Sequence, residues 1–205
     1  LWHARTTSRE HALAALRTHS ERSRLRLLDT TGQQLKGEDL TNAKMKRVQL
    51  QRPGNAFQRA NFSSAELDES VLEAGDSSFQ LACFDDSSLA NARLTGGAAS
   101  FQLASFANAN LTGAVLNGSF QAASFHNAVL RGSKLIGSFQ ACDISGASFV
   151  AADLTQVDRG SLESCYFTTP PDYSSRTRFP TGFNPNYAGW HLSLIHISEP
   201  TRPRL

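Results

Sequence analysis

The chain has 205 residues, a formal net charge of +2 and 19% charged residues, enough length for one domain with a real core. No apolar run approaches the ~20 residues needed to cross a bilayer, which argues against a membrane-spanning helix. Three cysteines, Cys83, Cys142 and Cys165, lack metal-ligand spacing and read as small thiols in a reducing compartment.

Residues 1–32 form a lead-in. Within it, TTSREHALAALRTHSERSRLRLL (residues 6–28) predicts an amphipathic helix, with Thr7 and Glu10 spaced as a capping box and Ala12, Leu13 and Leu16 on the apolar side. Its expected role is to cover an open edge of the following domain; a linker from an upstream domain is the alternative. The arginines there read as a solvated face.

Residues 33–169 are repetitive. The phrase SFQLACF at Ser78–Phe84 returns as SFQLASF at Ser100, SFQAASF at Ser119 and SFQACDI at Ser138, after AFQRANF at Ala56. Large apolar residues fall every five positions: Leu35, Leu40, Met45, Leu50; Phe57, Phe62, Leu67, Leu72; Phe79, Phe84, Leu89, Leu94. The next rows are Phe101, Phe106, Leu111, Leu116; Phe120, Phe125, Leu130, Leu135; and Phe139, Ile144, Phe149, Leu154. Two residues before these 24 positions, 20 are Ala, Ser, Gly or Cys. Neither the helical period of 3.6 nor the strand period of 2 keeps a step of five in phase. The chain must turn a corner every five residues, with one large and one small side chain inward per side, and four sides close a square.

Irregular steps occur only between rows: seven after Leu50, Leu72 and Leu94, and four after Leu116 and Leu135. All length changes therefore fall at one corner, where QRPGNA, EAGDSS, TGGAAS, NGS and IGS supply turn residues. Leu162 and Phe167 extend the pattern toward a seventh coil after a step of eight. With coils about 4.8 Å apart, six make a rod of roughly 30 Å.

The stretches ANFSS, ANARL, ANLTG and ADLTQ resemble the pentapeptide repeat family. That resemblance implies an all-β fold, a right-handed quadrilateral parallel β-helix of six to seven coils, each face a narrow parallel sheet. Residues 170–191 form a C-terminal extension, and Tyr173–Trp190 is similar to the segment that often follows the last coil in bacterial members. Residues 192–202, LSLIHISEPTR, resemble a translated sequencing adapter, so 192–205 are expected to be a non-native tail and the chain a fragment at both ends.

The residues offer little chemistry. His126, alone among the histidines in the coils, follows an inward phenylalanine and points outward with no sequence neighbour to form a site. Asp85 and Asp86 lie beside a corner and read as solvated, and the glycine-rich stretches are corners rather than phosphate loops. No enzymatic activity, catalytic residue, cofactor or metal is expected. One surface feature is regular: Gln58, Gln80, Gln102, Gln121 and Gln140 follow the first phenylalanine of each row. They predict an outward ladder of amides, read first as stiffening one face and second as a neutral recognition strip.

Some members of the family resemble duplex DNA in acidity and act on DNA gyrase. Here residues 55–168 carry 11 acidic and five basic residues, while 1–54 carry 11 basic and five acidic. A net of −6 on the coils, scattered, is sparse beside DNA's one charge per ≈ 1.7 Å. The expectation is a non-catalytic, cytoplasmic scaffold or protein-interaction module, bacterial by resemblance. It contacts another protein through one flat face and the variable corner of 51–138, with a homodimer left open and no direct nucleic-acid binding. A gyrase-directed DNA mimic and an accessory domain of a larger protein are the alternatives.

Overall fold

The computed structural model describes residues 36–52 and 56–193. The predicted N-terminal helix and Leu35 lie outside the described residues, as do residues 194–205.

A step of five closes a square because the large inward residue on each of the first three sides opens a four-residue turn. The amides of Ala43, Ala65 and Ala114 donate to the carbonyls of Leu40, Phe62 and Leu111, each at 3.0 Å. The third residue of these turns is left-handed, as at Asn42 (φ 59°), Ser64 (φ 57°) and Gly113 (φ 68°). Positive φ at that place alone is the signature of a type II turn. After the turn, the next small residue comes inward, one residue bridges to the neighbouring coils, and the next large residue follows.

Seven residues in line, Asp39, Asn61, Cys83, Ser105, Ser124, Asp143 and Tyr166, pair in parallel along the second side and count seven coils. Bonds run both ways along the stack: the Phe84 amide donates to the Ser105 carbonyl at 2.7 Å, and the Ser105 amide to Ala82 at 2.9 Å. The faces are unequal. The second and third sides pair through single-residue bridges. The fourth side continues in extended form into the variable corner as β1 (Gln49–Arg52), β2 (Val71–Ala74), β3 (Arg93–Thr95), β4 (Val115–Ser119), β5 (Lys134–Ser138) and β6 (Asp153–Val157). These make one six-stranded parallel sheet in chain order.

The interior is two phenylalanine stacks facing leucines. Phe57, Phe79, Phe101, Phe120 and Phe139 stack at 4.8, 4.9, 4.5 and 4.8 Å between ring centroids. Phe62, Phe84, Phe106 and Phe125 stack at 4.8, 4.9 and 5.1 Å. The spacing is that of hydrogen-bonded strands, so the backbone ladder itself sets the ring separation. These rings are fully buried, at about 1.5–3 kcal/mol per side chain. Ile144 ends the second stack, and Phe149 instead meets Trp190 at 4.9 Å, so the exchange of ring positions in that row serves the C-terminal end.

The small inward residue holds its place on three sides and shifts on the first. Where the preceding corner spans seven residues, Ala56, Ser78 and Ser100, directly before phenylalanine, are buried. Ser77 and Ala99, one residue earlier, sit at φ 54° and 52° and are only half-buried. The extra residues form a second turn before the ring, which changes which residue comes inside. The short corners use Gly118 and Gly137 directly above one another. A Cβ on Gly137 would lie 2.1 Å from the Gly118 carbonyl oxygen, and its φ is 107°.

The step of eight after Leu154 is taken up by a register shift between β5 and β6 and a one-turn helix, α1 (Arg159–Glu163), capped by Asp158, whose carboxylate accepts from the Ser161 amide at 2.7 Å. Coil-to-coil pairing then resumes, now at steps of six: Tyr166, Asp172 and Arg178 bridge to Asp143, Ser148 and Asp153. Phe179, Phe183 and Trp190 then pack on one another and cover the last coil, with Trp190 5.4 Å from Phe179 and 5.6 Å from Phe183. This apolar plug closes the end that a stack of strands otherwise leaves open. β7 (Asp172–Tyr173) and β8 (His191–Leu192) pair in parallel beside it. That pairing is backbone to backbone and continues with the Ser193 amide donating to the Tyr173 carbonyl at 2.7 Å, so the adapter-like residues reach the fold through Leu192 and the buried Ser193.

Candidate functional site

The glutamine column exists as hydrogen-bonded geometry over four coils. Gln58 Nε2 donates to Gln80 Oε1 at 2.7 Å, Gln80 to Gln102 at 2.9 Å and Gln102 to Gln121 at 3.4 Å. Each amide accepts from one neighbour and donates to the other, which a stack of identical groups does without distortion. Gln140 continues the column one coil further and is exposed. Gln121 and Gln140, which follow the four-residue corners, are exposed, while the three behind seven-residue corners are half-buried.

The column runs along an edge of the prism rather than the middle of a flat face. Each glutamine is the second residue of the turn from the first side to the second, as in Phe57–Gln58–Arg59–Ala60, closed at 3.0 Å. The third residue of that turn forms a parallel column: Arg59, Leu81, Leu103, Ala122 and Ala141, with φ of 61°, 61°, 58°, 54° and 53°. Leu81 is 41% and Leu103 50% exposed, and both are left-handed. An L-residue there costs roughly 1–2 kcal/mol relative to ordinary backbone, and glycine avoids that cost. Two adjacent coils therefore carry a large apolar side chain where folding alone favours glycine or asparagine. The next outward column, on the second side, is small and uncharged at Cys83, Ser105 and Ser124.

The other candidates resolve into structure. Asp85 Oδ1 accepts from the Ser105 hydroxyl and from the Ala107 amide at 3.0 Å, and Asp86 Oδ1 accepts from Asn108 Nδ2 at 3.1 Å. Each carboxylate thus ties its coil to the next. Asp68 does the same with Ser88 and the Ala90 amide, and Lys46 Nζ lies 3.2 Å from it. Burial acts to raise the Asp68 carboxyl, but these donors outweigh it and hold the group below the usual carboxylate range. Asp153 is also held low: burial opposes ionisation, while Thr155 and the charges of Arg178 and Lys134 favour it. His126 does gain a neighbour, Asp143 Oδ2 at 3.9 Å from Nδ1, on the next coil and 17 positions away in sequence. Among the described residues no three His, Cys, Asp or Glu side chains gather to hold a metal, and no helix is long and apolar enough to cross a membrane. A depression beside Tyr187 holds Arg159 and Glu163, already joined at 2.7 Å.

Residues 119–158 match the model of the pentapeptide repeats in eight copies. No curated protein matches the chain in sequence. Solved structures similar to it include full-length QnrB1, a plasmid-mediated fluoroquinolone resistance protein, at 16% identity over 78% of this chain and 91% of that one, with a TM-score of 0.41. Rfr23, a pentapeptide repeat protein from the cyanobacterium Cyanothece 51142, is 18% identical over 78% and 99%, with a TM-score of 0.35. HetL, a pentapeptide repeat protein involved in heterocyst differentiation regulation in Nostoc, is 21% identical over 71% and 78%, with a TM-score of 0.29.

Proposed function

We propose that the chain, whose residues 119–158 match the pentapeptide repeat model, is a non-catalytic scaffold of that family whose first corner, the turn from the first side to the second, binds another protein. The observation that carries this reading is the pair Leu81 and Leu103, exposed and left-handed on adjacent coils beside the glutamine column. Backbone strain combined with exposed apolar surface is a local conflict with folding, and such conflicts concentrate at functional sites. The solenoid supplies a rigid support, since each coil is bonded to both neighbours, so little ordering cost falls on binding. Gln58, Gln80, Gln102, Gln121 and Gln140 present uncharged donors and acceptors beside the two leucines and suit a partner surface that is mixed polar and apolar rather than phosphate-rich. The three free thiols fit a reducing compartment such as the cytoplasm.

The test is co-purification from cell extract with the wild-type chain and with a Leu81→Ser/Leu103→Ser variant of equal thermal stability. A protein retained by the first and lost by the second is the expected result; equal retention overturns the assignment of this corner. A DNA-mimicking role is separated in parallel. Gyrase supercoiling unchanged by excess purified chain is expected, and a dose-dependent change would replace the scaffold reading with mimicry.

A further inference from the structure

The small inward column that follows the first corner is alanine for four coils, Ala60, Ala82, Ala104 and Ala123, and then changes to Cys142 and Cys165. The two cysteines are 23 positions apart in sequence, yet they lie directly opposite one another on coils six and seven. Their successors Asp143 and Tyr166 form a parallel bridge, and the Tyr166 amide donates to the Cys142 carbonyl at 3.0 Å. Strands paired this way hold opposite Cα atoms about 4.8 Å apart, inside the roughly 4.4–6.8 Å that a disulfide spans. We propose that Cys142 and Cys165 are a modification site: a thiol pair that a low-molecular-weight disulfide converts to an intramolecular disulfide, bonding the last coil to the one before it.

The two thiols divide the roles between them. Cys142 is fully buried and donates to the Phe120 carbonyl at 2.9 Å, whereas Cys165 is partly exposed and donates to the Phe139 carbonyl at 3.1 Å. Burial pushes the Cys142 thiol up and keeps it protonated. The Cys142 thiol beside Cys165 favours the Cys165 thiolate and holds that group below its ordinary value. Cys142 has one proton, so it serves the Phe120 carbonyl or the Cys165 sulfur at any moment.

The Cys165 thiolate attacks one sulfur of the small disulfide, breaking its S–S bond, forming a mixed disulfide on Cys165 and releasing one small thiolate. Cys142 Sγ then attacks Cys165 Sγ and displaces the second small thiolate. The protons of the two protein thiols pass to the two leaving thiolates. Two protein thiols are oxidised and one disulfide is reduced to two thiols, so electrons and protons balance. The bond fixes the coil on which Phe179, Phe183 and Trp190 form the end plug. Cys83 lies in the outward bridging column of the second side, away from this pair.

The experiment uses the native full chain exposed to glutathione disulfide, quenched with a thiol alkylator and digested with trypsin. Cleavage at Arg159 separates the two cysteines. The expected result is a Cys142–Cys165 crosslink, lighter by two hydrogen atoms, with Cys83 alkylated and the bond reversed by reduced glutathione. Alanine fills this column in four coils, so Cys142→Ala and Cys165→Ala retain the fold. Cys142→Ala is expected to stop at a glutathione adduct on Cys165, and Cys165→Ala to leave Cys142 unmodified. No crosslink, a crosslink through Cys83, or one formed only in denaturant would overturn the site. An adduct on Cys142 in the Cys165→Ala variant would overturn the order of attack.

Discussion

Ala104→Leu tests the inward register of the coil. Ala104 is 1% exposed, with Ala82 and Ala123 above and below it in the same column and the Phe101 and Phe106 rings on either side in the chain. Coil spacing is fixed by backbone bonds such as Ser105 N–H to Ala82 at 2.9 Å and Ser124 N–H to Ala104 at 3.0 Å, so the column cannot widen without breaking them. Three added carbons in a filled interior cost about 1–3 kcal/mol through strained rotamers alone, and a broken rung adds about 1 kcal/mol. The control is Asn108→Ala, which loses one exposed bond to Asp86 and leaves alanine at φ 57°. That change costs about 0.5–1 kcal/mol. At about 2–4 °C per kcal/mol for a chain of this size, thermal melts followed by circular dichroism should separate the two by several degrees. Equal melting points, or a larger loss for Asn108→Ala, would refute the register.

Three further outcomes follow from the same geometry. Gly137→Ala, whose Cβ meets the Gly118 carbonyl oxygen at 2.1 Å, should lower stability by more than about 2 kcal/mol, whereas Gly132→Ala, left-handed but facing open space, should cost about 1 kcal/mol; chemical denaturation distinguishes them. Gln102→Ala interrupts the ladder on both sides and should cost about 1 kcal/mol in the same assay, with no change identifying the amides as structurally idle. Asp68 and Asp153 have folded pKa values below their unfolded ones, so their contribution is complete above pH ~4 and disappears as pH falls through the lower folded values. Melting temperature should therefore hold from neutral pH to about 4 and fall below it, with a shallower acid slope in Asp68→Asn; an unchanged slope would remove Asp68 from the account.

The sequence was legible where a column repeats and opaque where neighbours come from different coils. Phe84 and Phe106 declare themselves because the step of five holds around three corners of each row and breaks only at the fourth. The continuous sheet on the fourth side does not, because extension past Leu72 or Leu116 depends on how the variable corner closes. The shift of the small residue from Ser77 to Ser78 has the same origin, since counting back from Phe79 cannot tell which residue the second turn expels. Left-handed positions were masked by their occupants: Leu81, Leu103 and Ala122 are not residues that announce positive φ. Gln58 to Gln121 were visible as a column, but only the turn geometry puts them on an edge beside the two leucines. Cys142 and Cys165 were hidden as a pair because α1 lengthens the fourth corner and puts them 23 residues apart, outside both repeat spacings.

Under the proposed function, Leu81 and Leu103 are kept for a partner at the expense of the fold. The most direct measurement is the stability and partner retention of Leu81→Gly/Leu103→Gly, determined side by side by chemical denaturation and co-purification. Glycine relieves the left-handed strain at φ 61° and 58°, so the account predicts a chain more stable by about 0.5–1 kcal/mol per site that no longer retains its partner. A variant that is less stable than wild type, or that still retains the partner, would contradict it.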